Sequence, residues 1–170
     1  MSLNTNEEIV SLGAINLVAP YTVTFLAGKK EVLCFSTKEC LNYAITFVKD
    51  DTLGIPNMYQ LVIEEINHSH APYDPAVKDT LIAILENFLS KEMNVLAFVC
   101  DTMDSREAAR HALFNKWFLK YSGNSSLHKL DGIINAEGNM YYSSLICNKN
   151  NPFYNHIKLL YIGFIGDLQK

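Results

Sequence analysis

From Tyr21 to Ile66 the chain carries runs of β-branched and aromatic residues parted by turn formers; from Tyr73 the apolar spacing first becomes helical. In "YTVTFLAGKKEVLCFST" two runs of β-branched and aromatic residues flank Gly28-Lys29-Lys30, the pattern of a hairpin. Alternation puts Tyr21, Val23 and Phe25 on one face and Thr22 and Thr24 on the other. "NYAITFV" and "MYQLVIEEI" follow, parted by the turn formers of "KDDTLGIPN". The opening part therefore predicts an antiparallel meander of about four strands.

From "YDPAVKDTLIAILENFLSKE" the spacing is helical. Asp74 suits an N-cap, and Pro75 suits the first helical position, where its absent N–H would have no partner anyway. Val77, Leu81, Ile84, Leu85 and Phe88 recur on one stripe. "NVLAFVC" is apolar throughout, as a central strand covered on both faces would be. "DTMDSREAARHALFNKWF" predicts a second helix, with Asp104 as cap and Glu107 three residues later in something close to a capping box. "LHKLDGII" and "MYYSSLIC" flank "NAEG" as a second hairpin. "FYNHIKLLYIGFIG" is apolar enough to need a partner and stays open between helix and strand. The pattern as a whole predicts an α+β fold. It has a largely antiparallel mixed sheet of about seven strands and two main helices, in the order meander, helix, strand, helix, hairpin. A loose polar tail at 1–8 precedes a single domain at 9–170.

Composition narrows the class without naming a function. A chain of 170 residues, 49% hydrophobic and 19% charged, is ordinary globular material for one domain. A net charge of -4 with scattered Lys and Arg gives no footprint for nucleic acid. No window approaches eighteen uninterrupted apolar residues, and "MSLNTNEEIV" lacks a basic stretch followed by an apolar one, so neither a membrane span nor a secretory signal is expected. Cys34, Cys40, Cys100 and Cys147 stand alone, which suits reduced thiols in a cytoplasmic protein.

Candidate chemistry gathers where the apolar strand meets the second helix. Arg106 and Arg110 are four residues apart, hence neighbours on the helix surface, and share a side with Leu113, Trp117 and Tyr121. Ser105, Lys116 and Lys120 mark the solvent face. Arginines beside a core need their charge answered, and Asp101 and Asp104 are the nearby carboxylates. One reading is a structural clamp tying helix to strand. The other is an anion site, because ligands of layered α/β folds sit beyond the carboxyl ends of strands near helix N-termini. His68 and His70 in "NHSHAPYD" are weak metal candidates, since two ligands do not make a site. No metal is expected. Glu64 and Glu65 fall on opposite strand faces, and no Ser, Cys and His set reads as a nucleophile with its base. The aromatics of "MYYSSL" and "FYNHIKLLYIGF" would suit a homodimer surface in the C-terminal region.

The segment "CDTMDSREAARHALFNKWF", with its preceding strand and helix, resembles an uncharacterised bacterial protein family without assigned activity, over residues 20–165. The order of elements also resembles the Gcn5-related N-acetyltransferase fold from its second strand onward. That superfamily's last helix often carries A-x-x-L-Y-x-x-x-G-F, echoed here by Ala109, Leu113, Phe114 and Phe118, with Trp117 where the glycine would fall. The resemblance implies an acetyltransferase-like topology and, at the entry to the first helix, a Q/R-x-x-G-x-G/A turn cradling the coenzyme A pyrophosphate. The corresponding "HSHAPYDPAVKD" has no glycine, and Pro72 and Pro75 each remove a donor. Where the superfamily often places a proton-donating tyrosine, Leu113 and Phe114 offer no hydroxyl. Two functions remain. The preferred one is a non-catalytic binding or interaction module without a cofactor. The alternative is a divergent acyltransferase using acetyl-coenzyme A or another acyl carrier, with the arginine pair holding its anionic part.

Overall fold

A computed structural model describes residues 9–67, 73–100, 107–123, 126–136 and 139–168. Its elements in chain order are α1 (Leu12–Asn16), β1 (Thr24–Leu26), β2 (Lys29–Ser36), β3 (Asn42–Lys49), β4 (Met58–Glu65), α2 (Pro75–Leu89), β5 (Val95–Val99), α3 (Glu107–Tyr121), β6 (Leu127–Ala136), β7 (Asn139–Asn148) and α4 (Tyr154–Asp167). Seven strands form one sheet in the order β1-β2-β3-β4-β5-β7-β6. The pairs β1–β2, β2–β3, β5–β7 and β6–β7 are antiparallel, and β4–β5 is parallel. This is the α+β meander, helix, strand, helix and hairpin that the pattern predicts. Two helices are additional. The short α1 escaped the pattern, and the ambiguous tail is the long helix α4.

The chain divides into two compact units, Met1–Phe47 with Val62–Lys91, and Val48–Leu61 with Glu92–Lys170. In the first, Ser11 caps α1, its hydroxyl accepting from the Ala14 N–H at 3.4 Å. Asn16 then clamps the next segment, donating to the Val23 carbonyl at 2.8 Å and accepting from its N–H at 2.7 Å. Tyr21 and Val23 are buried while Thr22 and Thr24 are exposed, as alternation requires. Gly28, at φ +78°, supplies the left-handed residue that closes the β1–β2 hairpin. α2 is buried over more than one stripe: Thr80 through Ile84, Phe88 and Leu89 are all inside. Phe88 stacks on Phe47 with ring centroids 4.1 Å apart.

In the second unit β5 is covered on both faces, which explains its unbroken apolar run. Val95 joins Ile55, Met58, Leu145, Cys147, Ile157 and Tyr161 in one core, with α4 supplying the last two at helical spacing i, i+4. The opposite face carries Leu96 and Phe98, and Phe98 meets Phe114 of α3 at 4.1 Å between centroids. Gly132 lets α4 lie flush on β6. A Cβ there would fall 2.5 Å from Ile165 Cδ1. No described helix is long and apolar enough to cross a membrane.

Candidate functional site

Asp101, Asp104 and Arg106, and the weak metal candidates His68 and His70, lie outside the described residues. Arg110 falls within α3, but its side chain is likewise outside the described set. The inner face of α3 consists of His111, Phe114, Asn115, Trp117 and Phe118, all half-buried, while Lys116 and Lys120 face solvent as expected. Leu113 departs from the predicted stripe. It is 44% exposed, because the sheet-facing line runs through 111, 114, 115 and 118.

Beneath that face lies a polar cluster. Pairing aligns Phe98 of β5, Ser144 of β7 and Asp131 of β6 in one row, with Leu96, Ile146 and Lys129 in the next. Rows two residues apart share a face, so all six side chains point towards α3. Lys129 Nζ donates to Asn115 Oδ1 and to Asp131 Oδ1 and lies 5.8 Å from the Phe98 ring centroid. Ser144 Oγ donates to the same carboxylate oxygen at 2.5 Å. His111 Nε2 approaches that oxygen at 3.9 Å, and the imidazole packs on Tyr142 at 5.0 Å between centroids. His111 Nδ1 is buried and, among the described residues, has no hydrogen-bond partner.

Burial decides the charges. The Lys129 side chain is only 5% exposed and burial lowers its pKa, although the hydrogen bond and charge of Asp131 oppose the shift. Asp131 is 44% exposed; burial would raise its pKa, but hydrogen bonds from Lys129 and Ser144 outweigh that and hold it below the usual carboxylate range. His111 is lowered, first by burial and then by the Lys129 ammonium, with Asp131 opposing. Lys129 Nζ is thus held in place by Asn115 and Asp131. The cluster ties α3 to the sheet. Among the described residues no group of three or more His, Cys, Asp or Glu could hold a metal.

The N-terminus of α2 is the second place with potential chemistry, since first-turn N–H groups favour anions. Here a carboxylate of the protein's own takes that role. Asp74 Oδ1 accepts from the Ala76 N–H at 2.8 Å, and its Oδ2 accepts from the Tyr21 hydroxyl at 2.5 Å. The Tyr21 bond, followed by that from Ala76, holds Asp74 below the usual range, and the same contact raises Tyr21. Pro75 at the helix start brings no donor. An incoming phosphate would meet a carboxylate. Sequence reading found the cap at Asp74 but not its partner Tyr21, which lies 53 residues away.

The profile of the family of unknown function DUF6169 matches residues 73–161, over half of the chain, and the chain belongs to that family. No curated protein matches it. Among solved structures it is distantly similar to the N-terminal domain of ribosomal-protein-alanine acetyltransferase from Clostridium acetobutylicum ATCC 824. The identity is 13% and the TM-score 0.38, over 79% of this chain and 94% of that one.

Proposed function

We propose that this chain is a non-catalytic binding module that associates with a second copy of itself and takes no coenzyme A. The observation that carries the reading is the N-terminus of α2, where Asp74 accepts from Ala76 and Tyr21 and so fills the helix end with negative charge. A pyrophosphate there would face like-charge repulsion in place of a cradle. α3 adds to this. Phe114 packs on Phe98 with the rings tilted by 45° and Leu113 points outward, so neither position supplies a proton donor.

The contact surface is the outer face of α4. Ile157 and Tyr161 bury its inner side, whereas Leu159 and Ile162 are 70% and 54% exposed. Gly163 and Gly166 lie beside them with nothing within 4 Å of where a Cβ would stand. Knobs and gaps on one face are self-complementary: a two-fold antiparallel pairing sets Leu159 and Ile162 of each helix against the glycines of the other. Of the aromatics expected at such a surface, Tyr141, Tyr142, Tyr154 and Phe164 are half-buried and Phe153 is exposed. Tyr161 is buried, and the aliphatic pair takes their place.

A thermal titration with coenzyme A and acetyl-coenzyme A tests the first half. A ligand at about 100 times its dissociation constant adds about 2.7 kcal/mol, roughly 5–10 °C for a chain of this size. We expect no shift. A shift abolished by Arg110→Ala would overturn the reading in favour of an acyltransferase.

A further inference from the structure

We infer that α3 is a pH-sensitive latch: it is docked on the β5-β7-β6 face while His111 is neutral and released when His111 is protonated. The inference is independent of the proposed function and rests on how α3 is held.

α2 buries seven residues between Thr80 and Leu89. None of the described side chains of α3 is buried to that degree. α3 is therefore held by partial apolar burial, chiefly Phe114 on Phe98, and by the contacts of His111 and Asn115 with the sheet, and a few kcal/mol can decide its position. His111 sits within this contact. Its side chain is 13% exposed and its ring lies on Tyr142.

The groups facing His111 from each packed element set the sign. Among the described residues, β6 presents Lys129 and Asp131, β7 presents the Tyr142 ring and Ser144, the end of β5 brings the Cys100 thiol into the Tyr142 row, and α3 itself contributes neutral Asn115. Asp131 would welcome an imidazolium at Nε2, but its Oδ1 already serves Lys129 and Ser144. The Lys129 ammonium on that same oxygen repels a second cation. The other nitrogen decides the matter. A neutral ring carrying its proton on Nε2 leaves only a lone pair at buried Nδ1, whereas protonation places an N–H there with no acceptor among the described residues. Neutral His111 fits the docked helix, and charged His111 fits only a ring exposed to water. Release would uncover the face that carries Phe98 and Tyr142.

Trp117, the single tryptophan of the chain, lies half-buried on α3, so release of the helix would bring its ring into water. Its emission is followed from pH 8 to pH 5 in wild type, in His111→Phe, which keeps a ring against Tyr142, and in His128→Asn as a control. We expect a red shift on acidification in wild type and in His128→Asn, and none in His111→Phe. In parallel, amide exchange of wild type, corrected for its intrinsic pH dependence, compares α3 with α2. One proton taken up on release means that protection of α3 falls up to tenfold per pH unit below about 6.5, while α2 stays unchanged. A transition that persists in His111→Phe would overturn the inference. So would α3 and α2 losing protection together, or no change in α3 down to pH 5; the exchange comparison decides even where the variant does not fold.

Discussion

At the scale of residues, the cluster under α3 shows how a buried charge is made tolerable and why losing its counter-charge is costly. Lys129 has Asp131 as that counter-charge, with Asn115 and the Phe98 ring beside it. Asp131→Asn keeps the shape and removes the charge, leaving a cation almost without solvent. We expect a loss of about 1–3 kcal/mol in urea unfolding, below the 3–5 typical of fully buried pairs because Asp131 is itself half-exposed. Lys129→Met, which removes the cation and keeps its length, should be less damaging than Asp131→Asn. Equal losses would mean that packing, not charge, holds the site. The pH dependence has a definite sign. Since the Asp131 pKa is lowered in the fold, its contribution is complete above the ordinary aspartate value of about 3.9 and disappears as pH falls through the lowered one. Asp131→Asn should flatten that limb of the stability curve. Little of this cluster was legible in the sequence. Lys129 and Asp131 are two apart on a strand and so share a face, but their partners come from α3 and β7, and no local period encodes that meeting.

At the scale of elements, the reliable signals were local ones: the alternation from Tyr21 to Val23, the β-branched and aromatic runs of β2 and β3, the Asp74-Pro75 start of α2, and the unbroken apolar run of β5. α4 resisted because it has apolar residues on both sides. Ile157 and Tyr161 point inward while Leu159 and Ile162 point outward, so its pattern has no polar face to reveal a helical period. α1 spans five residues, too few for any period. The α3 stripe was placed about one residue step off, because His111 and Asn115 line the inner face where an apolar rule seeks Leu113. Gly132 in β6 is a signal that could have been read, since a glycine inside a strand often marks a close approach. Ile165 makes that approach. Gly132→Ala should destabilise by about 1–3 kcal/mol through overpacking. With Ile165→Ala already in place the same change should be much milder. A double-mutant cycle in urea measures the coupling, and strict additivity would show that α4 moves away freely.

At the scale of the whole molecule, self-association is a statement about mass action and can be separated from crowding by charge. The net charge of -4 at pH 7 keeps copies apart unless a specific surface joins them, so the measurement belongs near pH 7.5, well above the pI of about 5.7. If native copies pair and unfolded ones do not, the melting temperature rises with protein concentration. A hundredfold increase is worth about 2.7 kcal/mol per dimer, or roughly 3–6 °C for a protein of this length. Leu159→Glu with Ile162→Glu places carboxylates on two side chains that are already largely in water, so the isolated chain should melt where dilute wild type does. Only its concentration dependence should vanish, together with the dimer in sedimentation. A wild-type midpoint that stays constant from about 2 to about 200 µM would remove the second copy as the partner. Retention of the dimer in the double variant would instead move the contact away from α4, and the edge strand β6 is then the next surface to mutate.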